Sequence, residues 1–72
     1  MFEKKISEVA FARNLVYFRE KIGFKQRGVA QEVNITPAYY NQLEKGKRTP
    51  SLKVALRIAK TLHCSIEELL TE

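Results

Sequence analysis

The chain is poor in the residues that most chemistry needs. It has one cysteine, Cys64, and one histidine, His63, in 72 residues. A single thiol makes no internal disulfide, and an adjacent His-Cys pair does not complete a metal site within one chain. Neither a metal nor a cofactor is expected. There are no paired carboxylates suited to acid–base work, no nucleophile beside a base, and no glycine run that would cradle a phosphate. An enzyme is therefore not expected. No apolar run approaches the about 18 residues of a membrane span, and no signal-peptide pattern opens the chain. No membrane partner is expected, and the cytoplasm is the default location. Repeats and low-complexity tracts are absent as well.

What is present is a small basic chain. Its length suits one domain over residues 1–72, with a small core and a thin stability margin. The 44% hydrophobic content is ordinary for a globular fold. The net charge of +5 favours an anionic partner, most simply nucleic acid. The charge is also unevenly spread. From Lys45 to Lys60 the bases are Lys45, Lys47, Arg48, Lys53, Arg57 and Lys60, and no acid lies among them.

The pattern predicts five short helices and an all-α bundle. Residues 1–6 read as a short extension that either frays or packs Phe2 and Ile6 on the domain or on a second subunit. Ser7 can cap a first helix running to about Lys21. Phe11, Leu15, Phe18 and Ile22 are spaced by four, three and four and make one face. Arg13, Asn14, Tyr17, Glu20 and Lys21 mostly face water. Gly23 ends this helix, and Phe24 tucks back toward the core. A second helix covers Gln26 to Val33, with Val29, Ala30 and Val33 inward. Small Ala30 allows a close helix crossing. Gly28 inside it costs about 1 kcal/mol against alanine. Asn34 tolerates the left-handed conformation that would close this helix. Ile35 then drops inward. Thr36 is an N-cap and Pro37 an ideal first helical residue for a third helix, Pro37 to Glu44. Gly46 can take a left-handed conformation at its end. Ser51 caps a fourth helix, Leu52 to about Leu62, whose apolar set is Leu52, Ala55, Leu56, Ile58, Ala59 and Leu62. Ser65 and Glu68 form a capping box for a last helix, Ile66 to about Leu70.

The third helix carries the functional expectation. Tyr40 and Leu43 are its inward face. Pro37, Ala38, Asn41 and Gln42 lie on the other side, where an ordinary solvated face would carry Lys and Glu. Amides pair bidentately with adenine, and small apolar groups meet the thymine methyl. Two short helices joined by a turn of a few residues are the helix-turn-helix pattern.

The run from Gln26 and Ala30 through Ile35-Thr36 to Leu43-Glu44-Lys45-Gly46-Lys47-Arg48-Thr49-Pro50-Ser51-Leu52 resembles the phage-repressor-type helix-turn-helix, the XRE family of Cro- and cI-like regulators. Ala59-Lys60-Thr61-Leu62 and Ser65-Ile66-Glu67-Glu68-Leu69 resemble it too. The likeness spans roughly Phe11 to Leu70. It implies a lambda-repressor-like DNA-binding fold and a homodimer on an inverted-repeat operator. Thr36, Pro37, Ala38, Asn41 and Gln42 would then reach bases. Gln26, Tyr39, Lys45, Lys47 and Arg48 would contact phosphates. Arg19 and Glu44 match a charged pair tying the first helix to the end of the third. Ile66, Leu69 and Leu70, in a C-terminal helix within residues 65–72, would form the dimer interface. Arg57 and Lys60 lie beyond the motif and read as solvated charges. Pro37 and Ala38 stand where many relatives carry amide or charged readers. Lys25 replaces a hydroxyl or amide N-cap, and Asn34 and His63 replace turn glycines. Tyr40 replaces a smaller inward residue and needs room or a partner for its hydroxyl. The competing function is the same fold as a protein-binding module, such as an antitoxin component.

Overall fold

The computed structural model describes residues 8–71. Ser7, Phe2 and Ile6, to which the sequence assigns a cap and apolar contacts, lie outside the described residues. Five helices follow one another: α1 Glu8–Ile22, α2 Gln26–Val33, α3 Pro37–Glu44, α4 Leu52–Thr61 and α5 Ile66–Leu70. No strand occurs among the described residues. The helix order and bounds match the expected all-α architecture.

The helix ends have chemical causes. The Thr36 hydroxyl accepts from the Tyr39 N–H, and Ser51 accepts from Val54. Ser65 accepts from the Glu68 N–H while the Glu68 carboxylate accepts from the Ser65 N–H, completing the capping box. Gly23, Asn34, Gly46 and His63 take positive φ and turn the chain after α1 to α4 in order. After α2, the Ile35 N–H donates to the Ala30 carbonyl and Asn34 to Gln31. After α3, Lys47 donates to Gln42 and Gly46 to Leu43. These paired bonds satisfy carbonyls that a helix end otherwise leaves orphaned. The connection between α2 and α3 is thereby fixed at three residues, Asn34, Ile35 and Thr36.

Packing radiates from α1 and α2. α3 lies against both, α4 packs on α2, and α5 packs on α1 and α4. Phe11, Leu15, Val29, Ala30, Val33, Tyr40, Leu43, Ala55, Ile58, Ala59, Leu62 and Leu69 form the buried core. Phe18, Phe24 and Ile35 pack against it, partly buried. Gly28 gives Phe24 its seat: a Cβ there would stand 3.3 Å from the Phe24 ring.

Four expectations are corrected. Ile22 ends the α1 stripe but is 40% exposed, because the chain turns away at Gly23. Leu52 and Leu56 are 69% and 49% exposed. α4 buries Ala55, Ile58 and Ala59, with Leu62 just after it, a narrower face that Leu52 and Leu56 flank on one side. Asn14 does not simply face water. It is half-buried, and its Nδ2 donates to the carbonyls of Leu69 and Thr71 at 2.8 Å each, tying α1 to the end of α5. Leu69 itself is fully buried within the chain, so its side chain offers no surface to a second subunit. Of the expected interface residues, Ile66 and Leu70 remain half-buried.

Candidate nucleic-acid interface

α3 presents its first turn to solvent. Tyr40 and Leu43 point inward and are fully buried, so helical periodicity turns the opposite side outward. Thr36, Pro37 and Ala38 are exposed, while Tyr39, Asn41 and Gln42 are half-buried. No charged side chain occurs on α3 before Glu44. The loop after α3 adds exposed Lys45, Lys47 and Arg48. That loop is fastened to the fold at several points. Thr49 donates to the Glu8 carboxylate, Pro50 is buried, and Gly46 passes close to the start of α1. A Cβ on Gly46 would lie 3.5 Å from the Glu8 carbonyl oxygen.

Two hydrogen-bonded groups organise the expected contact residues. In the first, Arg48 lies over the Tyr39 ring, 5.3 Å from its centroid, and donates to the Gln42 Oε1 at 3.4 Å. A cation over an aromatic face is held by the ring quadrupole. Tyr39, Gln42 and Arg48 thus form one cluster that joins α3 to the basic loop.

The second group centres on Glu44. Arg19 Nε donates to Glu44 Oε2 at 2.6 Å, and Nη2 to Oε1 at 3.2 Å. Arg19 Nη1 also donates to the Phe24 carbonyl at 2.9 Å. The Gln26 Nε2 donates to Glu44 Oε1 at 2.8 Å, and the Asn41 Nδ2 donates to Gln26 Oε1 at 3.2 Å. Burial pushes the Glu44 carboxyl up, but hydrogen bonds from Arg19 and Gln26 outweigh it and hold the carboxyl below its ordinary range. Arg19 is raised, chiefly by its hydrogen bond to Glu44. Burial likewise raises Tyr40, with Glu44 as the next cause. Its hydroxyl makes no hydrogen bond of ordinary geometry. The demand for room is met; the demand for a partner is not.

The start of α2 is open. Lys25 precedes it in an extended conformation and makes no side-chain cap. Gln26 at the first position is half-buried and Arg27 is exposed. Helix N-termini with free N–H groups favour anions. Arg57, read as a solvated charge, donates to the Val33 carbonyl at 3.5 Å and so touches the end of α2. Among the described residues no group of three or more His, Cys, Asp or Glu is placed to hold a metal ion.

Residues 15–69 match the helix-turn-helix family. The chain belongs to the XRE-type helix-turn-helix family. It is 40% identical over 52 residues to an uncharacterized HTH-type transcriptional regulator of Archaeoglobus fulgidus, covering 72% of this chain and 74% of that protein. Among solved structures it is similar to the restriction-modification controller protein C.AhdI of Aeromonas hydrophila. That likeness has a TM-score of 0.81 and 29% identity, over 86% of this chain and 94% of the controller. The hydroxypropylphosphonic acid epoxidase of S. wedmorenis contains a similar unit, with a TM-score of 0.84 and 28% identity. There the likeness covers 94% of this chain but 36% of the epoxidase chain. The helix-turn-helix of this XRE-type protein is α2, the three-residue turn and α3, and the protein is a transcriptional regulator by family.

Proposed function

We propose that this regulator acts as a homodimer that reads an inverted-repeat DNA operator with α3 in the major groove. The observation that carries the reading is the pairing of an uncharged, amide-bearing outer face on α3 with the basic loop directly after it. Thr36, Pro37, Ala38, Asn41 and Gln42 are the base-contacting set. Asn41 and Gln42 supply amides for base edges, and Pro37 and Ala38 supply apolar contact for thymine methyls. Gln26, Tyr39, Lys45, Lys47 and Arg48 are the phosphate-contacting set. Phosphate contacts supply most of the affinity and fix register, and base contacts select sequence. Two copies would set their α3 helices about 34 Å apart, one DNA turn, as repressor-type dimers do.

The dimer contact assigned here is the half-buried edge of α5, Ile66 and Leu70, without Leu69. Sedimentation tests it: a dimer at micromolar concentration is expected, and a monomer at high micromolar concentration counts against it. No described helix is long and apolar enough to cross a membrane. A cytoplasmic location goes with the DNA reading.

A protein-binding role, as in an antitoxin component, draws on the same uncharged face of α3. Lys45, Lys47 and Arg48 beside that face favour DNA. Titrating a labelled random-sequence duplex at two salt concentrations separates the two. Binding that weakens as salt rises is expected. No binding even at low salt would move the assignment to a protein partner.

A further inference from the structure

We infer that Glu44 is a positioning residue for base selection, acting through Gln26 to fix the orientation of the Asn41 amide. The inference rests on the DNA-reading function proposed above.

The two ends of a side-chain amide differ chemically: one only accepts hydrogen bonds and the other only donates. Which end faces which neighbour is decided by the network around it. Here the network has a fixed starting point. Glu44 is an ionised carboxylate paired with Arg19, and a carboxylate only accepts. Gln26, whose Nε2 lies 2.8 Å from Glu44, must turn its NH2 toward it. Its carbonyl oxygen is thereby directed to Asn41, 3.2 Å from the Asn41 Nδ2. Asn41 must answer with its own NH2. One N–H of Asn41 is used, which leaves its carbonyl oxygen and its second N–H free. That is the acceptor–donor pair which adenine requires, since adenine offers an N6–H donor and an N7 acceptor. Gln26 also keeps one N–H free for a backbone phosphate.

Pro37 makes this route possible. It opens α3 and has no side-chain amide, so Gln26 is bonded to Asn41, one turn further along the same face. A part-buried charge between α1 and α3 therefore sets the hydrogen-bonding pattern of a group on the outer side of the helix.

The test uses the full chain and two variants. Gln26→Met removes the link but leaves the Arg19–Glu44 pair intact. Glu44→Gln keeps the shape but replaces the accept-only end with an amide that has both. The first readout is the side-chain amide signals of Asn41 by NMR in the free protein, with exposed Gln31 as the reference. In the wild type, Asn41 should be as ordered as the backbone; in Gln26→Met it should become as mobile as Gln31. The second readout is binding to duplexes that differ at each base pair of a selected site. Gln26→Met, Glu44→Gln and Asn41→Ala should lose discrimination at the same base pair, each by about tenfold. A uniform loss across all sequences from Gln26→Met would mark a phosphate contact only and overturn the inference. So would an Asn41 amide that is already mobile in the wild type. If the wild type binds no DNA, the DNA-reading function proposed above fails, and the amide signals then decide the link alone.

Discussion

Arg19 on α1 and Glu44 at the last position of α3 form a part-buried ion pair, with 2.6 Å between Nε and Oε2 and side chains 14% and 4% exposed. It is the polar fastening between the helix that frames the domain and the helix assigned to the groove. An exposed pair contributes about 0–1 kcal/mol, and losing one partner of a fully buried pair costs about 3–5 kcal/mol; this part-buried pair falls between the two. In a 72-residue domain that is a large part of the total.

Acid should weaken the fold through this pair. The Glu44 carboxyl is held below its unfolded value of 4.5. The unfolded chain therefore takes up the proton first as pH falls. The contribution of Glu44 is fully present above pH 4.5 and is lost as pH drops through the lower folded-state value. Urea midpoints measured from pH 6 to about 2 should fall for the wild type. Glu44→Gln should start lower and fall less over the same range. Parallel curves for the two proteins would contradict the assignment.

Tyr40→Phe should leave stability unchanged or raise it. The hydroxyl is buried without a well-formed partner, and such a group costs about 1–3 kcal/mol. The ring, which fills the core, stays. A loss of about 1 kcal/mol or more in the urea midpoint analysis would mean that Glu44 holds the hydroxyl.

Asn34 sits at φ +62°, between α2 and α3. A β-branched side chain is strained there, so Asn34→Val should cost at least about 1–2 kcal/mol. Asn34→Gly should be close to neutral, because relief of the left-handed strain is offset by a more flexible unfolded chain. Chemical denaturation of the two variants checks the contrast. An unaffected valine variant would mean the turn is not held as described.

The two contact classes should separate by mutation. Gln42→Ala should relax preference at one base pair per half-site, by about 1–3 kcal/mol. Lys47→Ala should weaken all sequences alike and reduce the salt slope by about 1. Binding measured on a site panel at several salt concentrations distinguishes them. Identical behaviour would undo the division of roles.

Much of this was legible in the chain because its signals are local. Thr36 before Pro37, Ser51, and Ser65 with Glu68 mark helix starts by chemistry that acts over three residues. Asn34 and Gly46 mark helix ends in the same way. The Arg19–Glu44 pair was expected from the family resemblance rather than from any local rule. What escaped depends on tertiary choice. The apolar residues of α4 fill a broad arc, so periodicity alone does not show that Leu52 and Leu56 lie at its exposed edge. Asn14 finds its partner 55 residues away, beyond any local pattern. Leu69 looked like surplus apolar surface on a short helix, yet it completes the core under α1 and α4. The chain from Glu44 through Gln26 to Asn41 is made by tertiary contacts, and nothing in sequence spacing says which way an amide turns.

The most direct test of the central claim is selection of bound sites from random duplex DNA, followed by affinity for the winner against bulk DNA at two salt concentrations. The account predicts an enriched inverted repeat with half-sites about one helical turn apart. It also predicts a preference over bulk DNA that survives the higher salt. Sequence-blind binding that disappears with salt, or no binding, would contradict it.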